Sequence, residues 1–252
     1  MHDESLRRGL RAISYRTLIF WSVIVGLGGG VLAAGYYYLL EGALHVVWDV
    51  VAKAVGPVWI VTGVGGVLVG LALWKLGVPG EIAAVVDNIH LRRGRIDIRQ
   101  TPSMTVVSLL SISFGGSAGP EAPLVQIIGS LGSRLGDRLR LHGHLVRTLT
   151  FCGMAAALGA FFGAPLGGAL FSLEIPHRRG LEYYEAIIPS LVSAFLSFEV
   201  FRALVPGEEV LYPFASVPDV TMLTVGQGLA LGLLGAGLGV GFIGVFRLVG
   251  RT

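Results

Sequence analysis

The sequence predicts an all-α, polytopic integral membrane protein, and three observations carry this prediction. The 252 residues are 53% hydrophobic and only 14% charged, and their mean hydropathy is +0.74. A soluble chain of this length needs far more charge to cover its surface. Three uncharged segments reach the roughly 20 residues that a helix needs to cross a bilayer, and they are Leu18–Leu40, Ala54–Trp74 and Val220–Phe246.

Arginines lie in groups between the apolar segments, and these groups predict the orientation of the chain. They fall at 7–16, 92–99, 134–147, 178–179 and 247–251. Because basic loops stay on the cytoplasmic side, we expect a multi-pass protein of the cell membrane with a cytoplasmic N-terminus. The connections 41–53 and 205–219 are expected on the outer face. The same pattern accounts for the net charge of +3 without a nucleic-acid partner.

Two apolar runs between arginine groups are too short for two straight spans, although each must return to the side it started from. One covers 100–133 and is interrupted at 115–123, and the other covers 148–177 and is interrupted at 161–168. Each run is therefore predicted to form two short or tilted helices that meet at a Gly/Pro-rich break. Irregular backbone at membrane depth is tolerated where it is buried in protein or lines a watery cavity, so the breaks predict a pathway.

Prolines at the breaks predict what this pathway carries. Pro123 and Pro165 suit the first turn of a helix, where the missing N–H is not needed, and Pro79 is expected to open a third short helix towards His90. The free N–H groups at the start of such helices attract anions. Because no full positive charge is buried, binding stays weak enough for passage. The sequence therefore predicts a pathway for small inorganic anions.

Isolated carboxylates occur in both runs, at Glu121 and Glu174. A carboxylate at membrane depth is costly and marks a functional site. Glu121 is expected to be the gate, occupying the anion site when ionised and leaving it when protonated or turned aside. Glu174 is expected either to belong to the pathway or to form an ion pair at the membrane surface. The predicted anion-binding residues are Gly77, Val78, Gly119, Pro120, Ala122, Pro123 and Leu124.

Other chemistry has little support in the sequence. The chain has no Walker loop, no His-Glu-x-x-His motif and no serine nucleophile elbow, so we expect neither an enzyme nor a cofactor. The histidines in basic loops lack carboxylates at metal-ligand spacing, and no metal is expected. Cys152, the single cysteine, is expected to be a buried small hydrophobe, and Tyr36–Tyr38 an aromatic belt at the membrane surface.

Two long motifs resemble the CLC family of chloride channels and chloride/proton antiporters. Residues 119–129 read GPEAPLVQIIG, similar to G-(K/R)-E-G-P-x-V-Q-x-x-G, and residues 164–174 read APLGGALFSLE, similar to A-P-x-x-G-x-L-F-x-x-E. The resemblance implies a fold of two inverted repeats, a homodimer with one pore per subunit, and Glu121 as the external gating glutamate. Residues 1–219 would then form the first repeat and 220–252 the first helix of the second.

Three departures from the family pattern bear on the mechanism. Leu76 stands where the family has the serine of G-S-G-I-P, and Ile175 stands where typical antiporters carry the internal proton-transfer glutamate. After Asp219 the chain carries neither the G-x-F-x-P helix end nor the pore tyrosine of the second repeat. The leading expectation is passive, gated conduction of chloride or a similar anion. The alternatives are chloride/proton exchange and a non-conducting half that assembles with a partner chain.

Overall fold

A computed structural model describes residues 2–79, 82–92, 94–141, 143–176, 183–207 and 221–249. Every regular element in these ranges is helical, as the composition predicts. In chain order the α-helices are α1 (His2–Leu44), α2 (Lys53–Val55), α3 (Val58–Leu76), α4 (Ile82–Leu91), α5 (Thr101–Ser113), α6 (Glu121–Arg138), α7 (Gly143–Phe161), α8 (Pro165–Glu174), α9 (Ile187–Leu204) and α10 (Met222–Val249).

Five helices in the described part of the chain are long and apolar enough to cross a membrane. By length and composition these spans are Tyr15–Val55, Val58–Leu76, His144–Phe161, Tyr184–Leu204 and Met222–Val249. The first, second and fifth contain most of the three uncharged segments. The other two correspond to α7 and α9, which carry polar residues near their ends. The chain is therefore a multi-pass membrane protein.

The connection expected at 41–53 is not a loop, and that prediction was wrong. Helix α1 continues through a π-helical stretch, His45–Ala52, into α2. No glycine or proline occurs between Glu41 and Lys53 after Gly42, so nothing ends the helix there. The chain turns only at Gly56, whose φ of +87° is accessible to glycine, and at Pro57. The span predicted over Ala54–Trp74 consequently begins at Val58.

Both predicted helix breaks are present. Residues 114–120 separate α5 from α6, and residues 162–164 separate α7 from α8. The four helices around these breaks have 13, 18, 19 and 10 residues. At 1.5 Å per residue, the shortest of them is about 15 Å long and reaches only half-way through a bilayer core.

Helix α7 lies at the centre of the core and contacts α1, α6, α8 and α9. Glycines allow the backbones to approach: a Cβ on Gly153 would lie 2.9 Å from the Gly129 Cα atom on α6. Hydroxyls on α9 bond across to α7, with Ser193 Oγ donating to the Cys152 carbonyl at 2.9 Å. Cys152 itself is buried, as expected. These small-residue contacts are typical of membrane helix packing.

The chain separates into two compact units, Met1–Pro206 and Gly207–Thr252. The second unit contributes α10. The repeat boundary predicted after Asp219 and most of the outer connection 205–219 lie outside the described residues. That boundary stays a prediction.

Candidate functional site

The break before α6 is held in place by its own backbone and by two aromatic rings. Gly116 N–H donates to the Ser111 carbonyl at 2.8 Å, which turns the chain back at the end of α5. Gly115 has a φ of +91°, and a Cβ there would lie 3.3 Å from the Trp48 ring. The Phe114 ring packs directly on Gly65 of α3. The loop is therefore fixed against α3 and the π-helical stretch.

Backbone donors are unpaired where α6 begins. Leu124 N–H donates to the Pro120 carbonyl at 3.1 Å, so it is already paired, and Pro120 and Pro123 have no N–H to offer. Within the described ranges, the N–H groups of Gly119, Glu121 and Ala122 have no protein acceptor. They lie at the positive end of the helix dipole. Of the predicted set in this segment, only Gly119 and Ala122 can supply N–H groups.

The Glu121 side chain lies beside these donors. Its carboxylate folds back over Gly119, where an added Cβ would collide with the carboxylate oxygens and lie 2.5 Å from Cδ. The residue is half-buried, and no hydrogen bond or ion pair of its carboxylate is found among the described residues. A negative group next to free N–H groups at a helix start is stabilised without a cationic partner. Glycine at 119 is what leaves room for this conformation.

A pair of hydroxyls near the break was missed from the sequence. Tyr36 is 4% exposed and its hydroxyl lies 2.9 Å from Ser108 Oγ, joining α1 to α5. The expectation that Tyr36 lies in a surface belt was wrong. Three consecutive tyrosines point about 100° apart around a helix, so one of them facing the core could have been foreseen.

The Gly77–Pro79 turn forms the second predicted binding segment. Gly77 has a φ of +82°, its N–H donates to Leu73, and its carbonyl accepts from Ser103 Oγ at 2.5 Å. Val78 is 81% exposed and its N–H has no acceptor in the described chain. Residues 80–81 lie outside the described residues, so α4 is described from Ile82 onward.

The break before α8 is tighter. Gly163 takes a φ of +64°, and Gly168 N–H closes the first turn of α8 on the Ala164 carbonyl at 2.7 Å. A Cβ on Gly168 would lie 2.6 Å from the Gly159 Cα atom, so α8 begins directly on the α7 backbone. The large exposed side chains here are Phe162 and Leu166, both apolar.

Glu174 ends α8 as expected and is exposed. The basic residues predicted to pair with it, His177 to Arg179, lie outside the described residues. Ile175 is half-buried and packs on the main core cluster. One residue further on, the Pro176 carbonyl lies 2.6 Å from His90 Nε2, which ties the end of α8 to α4.

These features define a class of membrane protein with broken helices, in which unpaired backbone donors lie next to an isolated carboxylate. Residues 65–252 match the family described as voltage gated chloride channel, and the chain belongs to this CLC family. This confirms the resemblance read from the two motifs.

Relatives and a solved structure agree with this assignment. A chloride/fluoride channel protein of Pseudomonas syringae pv. tomato is 32% identical over 71% of the chain and 40% of its own length. The H(+)/Cl(-) exchange transporter ClcA of Salmonella paratyphi B is 26% identical over 90% of the chain and 46% of its own. The structure of a CLC-type fluoride/proton antiporter aligns with a TM-score of 0.66, at 24% identity, over 87% of this chain and 54% of that one. The chain thus spans about half the length of these relatives.

Proposed function

We propose that the chain forms part of a passive, gated pathway for chloride or a similar small anion, with Glu121 as its gate. The observation that carries the proposal is the Glu121 carboxylate lying over Gly119, beside the unpaired N–H groups at the start of α6. An anion and this carboxylate need the same donors. Only one of them can be there at a time.

The energetics favour a gate rather than a permanent plug. A hydrogen bond to a charged group contributes about 1.5–3 kcal/mol net, so a few N–H groups hold an anion only moderately. The Glu121 carboxylate is tethered next to those groups and competes with an anion without diffusing in. Protonation removes its charge and hence its preference for the positive helix end. We therefore infer that acidification opens the pathway.

Passive conduction is favoured by the side chain at 175. Where typical antiporters are expected to carry a proton-transfer glutamate, Ile175 is apolar and packed on the core. Glu174, the neighbouring carboxylate, is exposed at the end of α8. Neither arrangement offers a buried proton acceptor at this position.

Proton exchange is the second candidate, and one contact favours it. His90 Nε2 lies 2.6 Å from the carbonyl of Pro176, the residue that follows Ile175. An imidazole ring is therefore close to this position. The Salmonella relative that matches 90% of the chain is named an exchange transporter.

The choice of anion and the assembly belong to the same proposal. Leu76 adds no hydroxyl to the Gly77–Pro79 turn, whose unpaired donor in the described chain is the Val78 N–H. Chloride and fluoride, both in the name of the Pseudomonas relative, are the anions to test. A homodimer in the lipid bilayer is proposed from the family. A half that conducts only with a partner chain is the remaining alternative.

Reconstituting the full 252-residue chain into liposomes distinguishes passive conduction, proton exchange and the half-protein alternative. An imposed chloride gradient should drive anion flux without moving protons against their own gradient. Uphill proton movement, recorded with a pH-sensitive dye, would overturn passive conduction in favour of exchange. If flux is absent and appears only when a chain carrying a second repeat is added, the half-protein alternative is correct.

A further inference from the structure

A cavity of about 210 Å³ lies between α1 and α6, on residues that the anion site does not use. Its walls are mostly apolar and include Ile24, Leu32 and Leu131, each more than a third exposed. Two basic side chains, Arg134 and Arg138, complete the lining. An apolar hollow with a basic end calls for an amphiphilic ligand.

Two adjacent glycines explain why the hollow exists. A Cβ on Gly29 would lie 2.8 Å from the Ala156 Cβ atom and 3.2 Å from Ile128, so this glycine allows α1 to approach the core. A Cβ on Gly28 would meet no atom within 4 Å. Because α1 approaches the core at Gly29, the space beside Gly28 stays empty. This space, called the slot below, is part of the cavity between α1 and α6.

The basic end lies towards the polar ends of both helices. Leu135 packs in a cluster with Val25 and Leu18, whereas Ile128 lies beside Gly29, so α1 and α6 run antiparallel. The C-terminal arginines of α6 are thus close to the basic N-terminal part of α1, which includes Arg16. This is the depth at which lipid headgroups meet a membrane protein.

Both cavity arginines are available to a ligand. They lie one turn apart on α6, about 6 Å along its axis, and both are exposed. The acidic residue of that turn, Asp137, is held by Arg95 at 2.7 Å. No carboxylate pairs with either cavity arginine in the described part of the chain.

We propose that this cavity binds an anionic phospholipid, with part of one acyl chain in the slot at Gly28 and the phosphate on Arg134 and Arg138. Guanidinium groups bind phosphate through paired N–H donors, and basic pockets between membrane helices bind anionic headgroups. Charge selects an anionic lipid over a zwitterionic one. The site is separate from Glu121, so it stands or falls independently of the transport proposal.

Native mass spectrometry of the delipidated full chain tests the charge requirement. The probe is a phosphatidylglycerol with palmitoyl and oleoyl chains, compared with the phosphatidylcholine of the same chains. Each arginine near the bilayer surface contributes about fivefold, or ~1 kcal/mol. Arg134→Gln with Arg138→Gln should therefore weaken phosphatidylglycerol binding about 25-fold. The matched control, Arg99→Gln with Arg140→Gln, removes the same charge from two exposed residues that do not line the cavity, and binding should stay within about twofold of the wild type.

Filling the slot tests the acyl chain. Gly28→Leu adds a side chain where no atom stands, and it should reduce phosphatidylglycerol binding at least about tenfold. Gly35→Leu is the control, since Gly35 lies on the same helix, has equally open space and does not line the cavity. Equal lipid binding by these two variants would overturn the proposal.

Other occupants give different results, and each contradicts the proposal. Inorganic phosphate competing fully with the lipid would reduce the site to a simple anion site. Loss of a dimer in Gly28→Leu, with lipid binding intact, would assign the slot to a second copy of the chain. If Gly28→Leu does not yield monodisperse protein, the two double arginine variants test the proposal, because they alter only exposed side chains. Equal phosphatidylglycerol binding by these two variants would then overturn it.

Discussion

The two helix breaks have the same backbone plan but differ in what lies next to the new helix. Before α6, the break is a loop with exposed glycines, and the Glu121 carboxylate lies over Gly119 beside unpaired N–H groups. Before α8, the turn is three residues long and Gly168 rests on the α7 backbone. The neighbouring side chains there, Phe162 and Leu166, are apolar. Of the two helix starts, the one before α6 therefore has a carboxylate beside its unpaired N–H groups, and the proposed gate depends on this difference.

The largest effect is expected from neutralising the carboxylate at the first break. Glu121→Gln removes the group that competes with the anion, so anion flux at neutral pH should rise about tenfold, the effect of ~1.4 kcal/mol. The flux of the variant should no longer depend on pH, whereas wild-type flux should increase as the pH falls. Chloride efflux from proteoliposomes at several pH values measures both.

Glu174→Gln is the matched control for this change, because it neutralises the carboxylate that follows the second break. It should leave flux within about twofold of wild type, well below the tenfold step of ~1.4 kcal/mol. Equal effects of the two substitutions would remove the distinction between the breaks.

A smaller increase in flux is expected from Gly119→Ala. The added methyl group would collide with the Glu121 carboxylate, so the carboxylate must leave its position although its charge remains. Flux should rise about fivefold, or ~1 kcal/mol. Gly167→Ala introduces the same methyl group at the second break, where the nearest atom to a Cβ is 3.6 Å away. A flux change in this control as large as that in Gly119→Ala would contradict a specific displacement.

Stability rather than transport should respond at the second break. Gly168→Ala places a Cβ 2.6 Å from the Gly159 Cα atom, and overpacking of this kind costs about 1–3 kcal/mol. The free energy of unfolding, from denaturant titration in detergent, should fall by that amount, while Gly167→Ala should change it little. Full stability in Gly168→Ala would show that the second break is as loose as the first.

The smallest effect is expected at the Gly77 turn. Ser103→Ala removes the hydroxyl that donates to the Gly77 carbonyl, and a neutral hydrogen bond contributes about 1 kcal/mol. Chloride affinity should weaken about twofold to fivefold because the turn loses one anchor. Ser172→Ala is the control, since among the described residues its hydroxyl donates to the Ala169 carbonyl of its own helix. No difference in affinity between the two variants would exclude the turn from the anion path.

The fold was predictable from sequence wherever residues that end helices mark a boundary. Glycine and proline around Glu121 and Pro165 predicted both breaks, and the long uncharged segments predicted the spans that contain them. The connection at 41–53 was misread because charged residues there suggested a loop, whereas α1 continues until Gly56. A charged residue at a membrane surface does not end a helix when it forms an ion pair with a residue four positions away. Lys53 Nζ lies 2.8 Å from Asp49 Oδ1 in such a pair.

The candidate site was predictable as a segment but not as a set of donors. The motif placed Glu121 at a helix start, but it does not show that the Leu124 N–H already donates to the Pro120 carbonyl. The Tyr36–Ser108 pair joins residues 72 positions apart, and no local pattern specifies such a contact. The position of the Glu121 carboxylate over Gly119 depends on a side-chain rotamer, which sequence does not determine.

Chloride binding by wild type and Glu121→Gln at neutral pH, measured by isothermal titration calorimetry, tests the central claim most directly. If the carboxylate and the anion compete for the N–H groups at the start of α6, the variant binds chloride about tenfold more tightly, a gain of ~1.4 kcal/mol. Equal or weaker binding by Glu121→Gln would contradict the competition and with it the gate.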